Sequence, residues 1–149
     1  MKKYYHYTIE ERVQIIIDSG QINLAKACVH GKKEKAVAWV SSNEKWESTS
    51  NKGYMDFFGN QKTLTFNEQS EHFGCGRIVV KPIGFMTWAK LIHKAKMDKE
   101  MAYRMENTGK KVGAKPSEWF GSLHPIKKDK WISAEVFKNG KWIEVESFV

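Results

Sequence analysis

The chain has 149 residues, of which 41% are hydrophobic and 28% are charged, and its net charge is +8. This length and apolar content predict one domain, residues 1–149, with its own core. Nineteen aromatic residues (eight Phe, six Trp and five Tyr) exclude an intrinsically disordered chain. No apolar run is long enough to cross a bilayer and the start lacks the apolar segment of a signal peptide. We therefore expect a cytoplasmic protein without a membrane partner.

The positive charge comes almost entirely from lysine, since Arg12, Arg77 and Arg104 are the only arginines. Lysine is a hydrated point charge that attracts phosphate without the planar recognition of arginine. The composition therefore permits a nucleic acid or nucleotide partner, and it equally fits a solvated lysine-rich surface.

Two cysteines without a CxxC motif fit a reducing compartment. Cys28, His30, His72 and Cys75 together contain the donor set of a Cys2His2 zinc site. The Cys-x-His spacing is a poor chelate, so two unrelated thiols are the favoured interpretation and we expect no metal.

The aromatic run 4–8 predicts a short strand that places His6 and Thr8 on one face. Apolar residues at helical spacing then predict a helix over 10–19, ended by Gly20. The Thr8 hydroxyl either caps this helix or remains available for binding.

The middle of the chain begins with a connecting segment, 21–35. The continuous apolar run 36–40 predicts a buried strand that leads into Ser41. A long polar loop over 44–60 follows, in a position typical of binding groups. Its candidate binding residues are Trp46, Glu47 and Tyr54.

Local patterns predict several further elements. They are a short strand over 62–66, a loop over 67–76, a core strand over 77–80, and helical stretches over 85–95 and 97–105. We expect the helical region to break near Asp98 and to end at 109–113. Methionines at intervals of four (Met97, Met101 and Met105) are more typical of core packing than of a cofactor site.

Asn139-Gly140, between apolar runs over 131–137 and 141–147, predicts a hairpin with a type I′ turn. A two-residue turn fixes the register. The expected pairs are Val136–Ile143 and Ala134–Val145 on the buried side, and Phe137–Trp142, Glu135–Glu144 and Ser133–Glu146 on the other.

This register gathers Glu135, Glu144 and Glu146 into an acidic patch. It is either a solvated face neutralised by lysines or a carboxylate facing a cleft. Because strands seldom alternate with helices along the chain and a hairpin ends it, the fold class is α+β.

The segment Tyr5-His6-Tyr7-Thr8, the helix ending at Gly20 and the buried strand running into Ser41 resemble ADP-ribosyltransferase-like domains. In particular, the chain resembles small bacterial or phage members related to DarT and other enzymes whose first motif is His-x-Thr. Beyond Ser41 only the order of elements matches. The resemblance implies a split mixed or antiparallel sheet with flanking helices and a C-terminal hairpin, as in a phage or bacterial accessory protein.

The resemblance further implies NAD as substrate and a nucleic acid or protein target, or else a non-catalytic binding module of the same fold. His6 and Thr8 match the first motif, which contacts the NAD ribose, and Ser41 ends the strand of the second. The glutamate of the third motif has no unique match. The candidates are Glu135, Glu118 and Glu47.

Such a reaction requires a carboxylate near the ribose, because cleavage of the nicotinamide–ribose bond develops positive charge there. Aromatic faces stack nicotinamide and adenine. Candidates for stacking are Tyr7, Trp46, Tyr54 and Trp119. Arg77 either clamps the pyrophosphate or forms a surface salt bridge.

A third hypothesis is a basic nucleic-acid-binding protein unrelated to NAD. In it, aromatics between Trp119 and Trp131 stack on bases and the nearby lysines contact phosphates. The lysines concerned are Lys127, Lys128 and Lys130.

Overall fold

The computed structural model describes residues 2–29 and 31–149, which form an α+β fold around a mostly antiparallel sheet, as predicted. The strands are β1 (Tyr4–Ile9), β2 (Gln21–Ile22), β3 (Ala38–Ser41), β4 (Gly53–Met55), β5 (Gln61–Thr63), β6 (Cys75–Val80), β7 (Met86–Thr87), β8 (Trp119–Ser122), β9 (Ile126–Lys127), β10 (Trp131–Lys138) and β11 (Lys141–Ser147). The helices are α1 (Glu10–Ser19), α2 (Phe66–His72), α3 (Trp88–Lys94) and α4 (Lys99–Lys111).

The main sheet has seven strands in the order β11-β10-β6-β1-β3-β8-β7, so the first strand of the chain lies in the middle. Two small sheets, β2–β9 and β4–β5, accompany it. No helix in the described ranges has the length and apolar character needed to span a bilayer.

β1 is paired very differently on its two sides. It follows β6 along its whole length, but it meets β3 at a single register position, Tyr5 opposite Ser41. Beyond that position the His6 imidazole contacts the Trp39 carbonyl, with Nδ1 at 2.8 Å from the oxygen. β1 and β3 therefore separate beyond Tyr5 within a sheet that is otherwise continuous, and a histidine side chain lies at this division.

α1 covers one face of the sheet through Val13 and Ile17, both buried in the main core cluster. Gly76 on β6 permits this close approach, because a Cβ there would overlap the Val13 side chain. The helix ends at Gly20 in the left-handed region, as predicted. Of the two alternatives for Thr8, the helix cap was wrong, since strand pairing continues through Ile9 and leaves Thr8 inside β1.

Residues 62–76 differ from the prediction of a strand followed by a loop. β5 ends at Thr63, and α2 begins after Thr65, whose hydroxyl accepts the Glu68 amide at 3.2 Å. The Glu68 carboxylate accepts the Thr65 amide in return, and this bond lowers the pKa of Glu68. This capping box was present in the sequence as Thr-x-x-Glu, so the helix was predictable.

The two helical stretches are confirmed as α3 and α4, and the break lies where it was expected. The Asp98 carboxylate caps α4 by accepting the Met101 amide at 3.1 Å. Met97 and Met105 pack on the cluster of Trp88 and Trp119, as predicted for core methionines.

The C-terminal hairpin is confirmed, with Asn139 and Gly140 both at positive φ (51° and 76°) as a type I′ turn requires. The predicted register holds from the turn to Glu135 opposite Glu144. A bulge then shifts it, so that Ala134 faces Glu146.

The remaining pairings of the hairpin were predicted wrongly for this reason. Ser133 faces Ser147 instead of Glu146, and Val145 loses its predicted partner. Val145 is 52% exposed, because β11 is the edge strand of the sheet.

Candidate functional site

A cavity of about 590 Å³ lies on the sheet at the division between β1 and β3, beneath the loop after β3 and beside α4. This volume is within the range of small-molecule sites, roughly 300–1,000 Å³. Among its lining residues are Tyr5, His6, Tyr7, Trp39, Ser41, Glu47, Thr49, Met101, Met105, Gly109 and Trp119.

The Glu47 carboxylate accepts four hydrogen bonds in the cavity wall, and the residue is only 6% exposed. Oε1 accepts the Ser41 hydroxyl at 2.8 Å. Oε2 accepts the Thr49 amide at 3.3 Å, the Thr49 hydroxyl at 2.9 Å and the Trp119 indole N–H at 3.1 Å. These four donors compensate for the burial of the carboxylate and fix its orientation.

Local chemistry shapes the loop that carries Glu47. Where β3 ends, the Ser41 hydroxyl accepts the Asn43 amide at 3.1 Å, and the Asn43 side chain accepts the Lys45 amide at 2.9 Å. Glu47 itself caps the 3-10 turn Ser48–Ser50. Short polar side chains bonding nearby backbone amides thus turn the chain back towards the cavity.

His6 contributes a neutral imidazole to the same cavity. Since a carbonyl only accepts, the contact with Trp39 assigns the proton to Nδ1 and leaves the lone pair on Nε2. Burial lowers the pKa of His6; the Trp39 carbonyl opposes this shift, and the charge of Arg12 adds to it. Nε2 has no hydrogen-bond partner within residues 2–29 and 31–149.

Trp119 connects Glu47 to the helices. Its ring packs edge-on against Trp88, with centroids 5.0 Å apart, and lies against Gly109 of α4. A Cβ at Gly109 would lie 2.6 Å from Trp119 Cζ2, so only glycine permits this approach. The indole N–H that bonds Glu47 is therefore set by the packing of two helices.

The cavity brings together five of the residues predicted for the site. They are His6, Tyr7, Ser41, Glu47 and Trp119. The other six do not line it. They are Thr8, Trp46, Tyr54, Arg77, Glu118 and Glu135.

Four of these six occupy separate places. Thr8 lies in β1, opposite Gly76 of β6. Trp46 is buried in an aromatic cluster, and Tyr54 is exposed on the β4–β5 hairpin. Glu118 accepts the Asn43 side-chain amide at 3.3 Å and lines a different, polar cleft.

Arg77 and Glu135 bind each other. They lie directly opposite each other on β6 and β10, and Arg77 Nη2 lies 2.6 Å from Glu135 Oε1. The two side chains are only 10% and 18% exposed, so the ion pair is buried, whereas the salt bridge weighed as one alternative for Arg77 was a surface one. The member of the predicted acidic patch that lies nearest the core is thus neutralised by arginine.

Several cavity residues were not predicted from the sequence. Thr49, two residues after Glu47, was detectable as a short-range partner of a loop carboxylate. Met101 and Met105 line the cavity, although their spacing predicted core packing alone. No local signal indicated Gly109, whose importance comes from contact with Trp119.

The described ranges contain no cluster of three or more His, Cys, Asp or Glu residues able to hold a metal. Cys28 is exposed at the cavity, whereas Cys75 is buried in β6, where burial raises the pKa of its thiol to about 11. His30, named as a possible zinc ligand, lies outside the described residues.

The predicted stacking surface between Trp119 and Trp131 was wrong. The two rings are 6% and 0% exposed, and Trp131 donates to the Ile126 carbonyl inside the core. Trp131 lies within the core, and the small exposed part of Trp119 borders the cavity, so neither ring lies on the outer surface beside the lysines.

Comparison with models of known families, with curated proteins and with solved structures gives no match for this chain. Only its own sequence and geometry therefore bear on its function.

Proposed function

We propose that the protein is an ADP-ribosyltransferase-fold enzyme that uses NAD to modify a nucleic acid or protein target. The observation that carries the proposal is the Glu47 carboxylate, held by four donors in the wall of a cavity that it shares with His6. The separation of β1 from β3 beside His6 supports the proposal, because the resemblance implies a split sheet.

The reaction follows from these groups. The bond between the nicotinamide nitrogen and C1′ of the ribose breaks, and its electron pair leaves with nicotinamide. The Glu47 carboxylate stabilises the positive charge that develops on the ribose. A nucleophilic atom of the target then bonds to C1′ and loses its proton.

His6 and the aromatic walls orient the substrate. The Nε2 lone pair of His6 accepts a hydrogen bond from a ribose hydroxyl, which requires the neutral imidazole that burial favours. Tyr5, Tyr7 and Trp119 supply apolar surface for the rings of the dinucleotide.

The test compares release of nicotinamide from NAD by wild type, Glu47→Gln and Glu118→Gln. Glu47→Gln keeps the size of the side chain and removes its charge. We expect its rate to fall by about 100-fold or more, as for loss of a preorganised electrostatic group. Glu118→Gln is the matched control, a carboxylate outside the cavity, and should retain the wild-type rate.

Two results would count against this proposal. A Glu47→Gln variant with wild-type turnover removes Glu47 from the chemistry. A wild-type protein that neither binds NAD nor releases nicotinamide, with DNA, RNA or protein offered as target, removes the enzyme proposal altogether.

A non-catalytic binding module is the second candidate. Three of the four donors to Glu47 occupy a single oxygen, Oε2, so much of its acceptor capacity serves to hold the loop. Titration calorimetry with NAD and ADP-ribose separates the two candidates, since binding without nicotinamide release favours the module.

A further inference from the structure

The loop before Glu47 is bonded by three strands of the sheet through three consecutive carbonyls. The Tyr7 hydroxyl of β1 donates to the Asn43 carbonyl, and Nη1 of Arg77 on β6 donates to the Glu44 carbonyl. The Trp142 indole N–H of β11 donates to the Lys45 carbonyl at 3.1 Å. These donors come from residues far apart in sequence.

Hydrogen bonds and aromatic rings hold the Arg77 guanidinium in place. Nε and Nη2 donate to Glu135 Oε1 at 2.7 and 2.6 Å. Its Cζ atom lies 4.6 Å from the ring centroid of Tyr5 and 4.3 Å from that of Trp142. The remaining nitrogen, Nη1, is thereby aimed at the loop.

The same bonds determine where Glu47 can lie. Trp46, between the bonded carbonyls and Glu47, packs on Tyr7 and Trp142 with centroids 4.9 and 6.4 Å away. Consecutive Cα atoms are about 3.8 Å apart, so a backbone fixed at Lys45 leaves Glu47 little freedom.

We propose that Tyr7, Arg77 and Trp142 are positioning residues, which hold the backbone of loop 43–45 so that the Glu47 carboxylate faces the cavity. Glu135 orients Arg77 in this arrangement. The inference rests on the proposed function for the role of Glu47 in catalysis. It gives Arg77 and Glu135 a task other than the contact with NAD that the sequence suggested.

The main test is Trp142→Phe, which keeps an aromatic ring and removes the indole donor. The first readout is the indole ¹H–¹⁵N resonance of Trp119 in the ligand-free protein, assigned by its absence in Trp119→Phe. Because this N–H bonds Glu47, a shifted carboxylate moves the resonance. We expect a displaced resonance, with kcat for nicotinamide release reduced by about 10- to 100-fold and KM nearly unchanged.

Trp131→Phe is the matched control. It also removes an indole–carbonyl bond, the one to Ile126 at 3.2 Å, from a fully buried ring in another part of the core. It should lower stability at least as much as Trp142→Phe, yet leave the Trp119 resonance and kcat at their wild-type values. A general loss of stability is thereby separated from a loss of positioning.

Glu135→Gln distinguishes positioning from chemistry at Glu135. Positioning predicts a displaced Trp119 resonance together with reduced kcat. Loss of turnover with the resonance unmoved would identify Glu135 as the acting carboxylate and overturn the proposal. A wild-type resonance and wild-type kcat in Trp142→Phe would overturn it as well.

The resonance is measured without NAD, so the two proposals fail separately. If wild type releases no nicotinamide, the proposed enzyme is lost, while a resonance displaced in Trp142→Phe still supports the positioning of Glu47. If turnover depends on Glu47 but the resonance never responds to Trp142→Phe, the positioning role is lost alone.

Discussion

Replacing Gly109 with alanine adds one methyl group at the contact between α4 and Trp119. The new Cβ would lie 2.6 Å from Cζ2 and 2.8 Å from Cη2 of the Trp119 ring, and 3.4 Å from Thr49 Cγ2. Carbon atoms pack at about 3.5–4.0 Å, so the ring has to move by roughly 1 Å. The displaced Trp119 ring donates to the Glu47 carboxylate, and Thr49, which the new methyl group would only touch, donates to it as well.

Two effects of opposite sign decide the stability of Gly109→Ala. Alanine at an unobstructed helical position stabilises by about 1 kcal/mol relative to glycine. Overpacking in a close-packed core costs about 1–3 kcal/mol. Complete loss of a hydrogen bond to a charged group costs about 1.5–3 kcal/mol more, and a weakened bond costs a part of this. We therefore expect a net loss of about 1–3 kcal/mol in the free energy of unfolding.

Urea denaturation of wild type, Gly109→Ala and Asn107→Ala measures this difference. Asn107 is exposed on the same helix two residues earlier, so its replacement should stabilise by a few tenths of a kcal/mol. Gly109→Ala should also displace the indole resonance of Trp119. A Gly109→Ala protein more stable than wild type would refute the tight packing of Trp119 on α4.

Three further predictions concern other parts of the molecule. Burial lowers the pKa of folded His6, so the unfolded chain takes up its proton first and stability falls as pH drops below about 6.5, by at most about 1.4 kcal/mol per unit. This slope of stability against pH should be smaller in His6→Asn, whose side-chain amide still reaches Trp39. Equal slopes for wild type and His6→Asn in unfolding titrations would contradict the assignment of the slope to His6. Thr65→Ala removes the cap of α2 and should cost about 1 kcal/mol in urea unfolding, whereas no loss would contradict the capping box. A thiol reagent at pH 8 should label Cys28 rapidly and Cys75 only after unfolding, and rapid labelling of both would contradict the burial of Cys75.

Local patterns in the sequence were sufficient for much of the fold. The strand over 4–8, α1 with its terminal Gly20, and the Asn139-Gly140 hairpin were all predicted, because each depends on residues within one turn or one strand. Where a local signal was overlooked, as in the capping box that begins α2, the information was still present in the sequence.

The predicted site was only partly recoverable for the opposite reason. Three glutamates were candidates for the acting carboxylate, and nothing in their local sequence distinguishes them. The structure places Glu47 in the cavity with His6, buries Glu135 against Arg77, and puts Glu118 in a separate cleft.

Residue types, spacing and charge by themselves determined an α+β chain with His6 on its first strand and a polar loop after the strand that ends at Ser41. Tertiary structure alone decided what those residues face. Trp119 reaches Glu47 because Gly109 admits its ring, and the loop before Glu47 is held by donors from three strands. The hydrogen bonds among these contacts join residues 33 to 97 positions apart, and their geometry is set by strand register and helix packing, which local spacing does not encode.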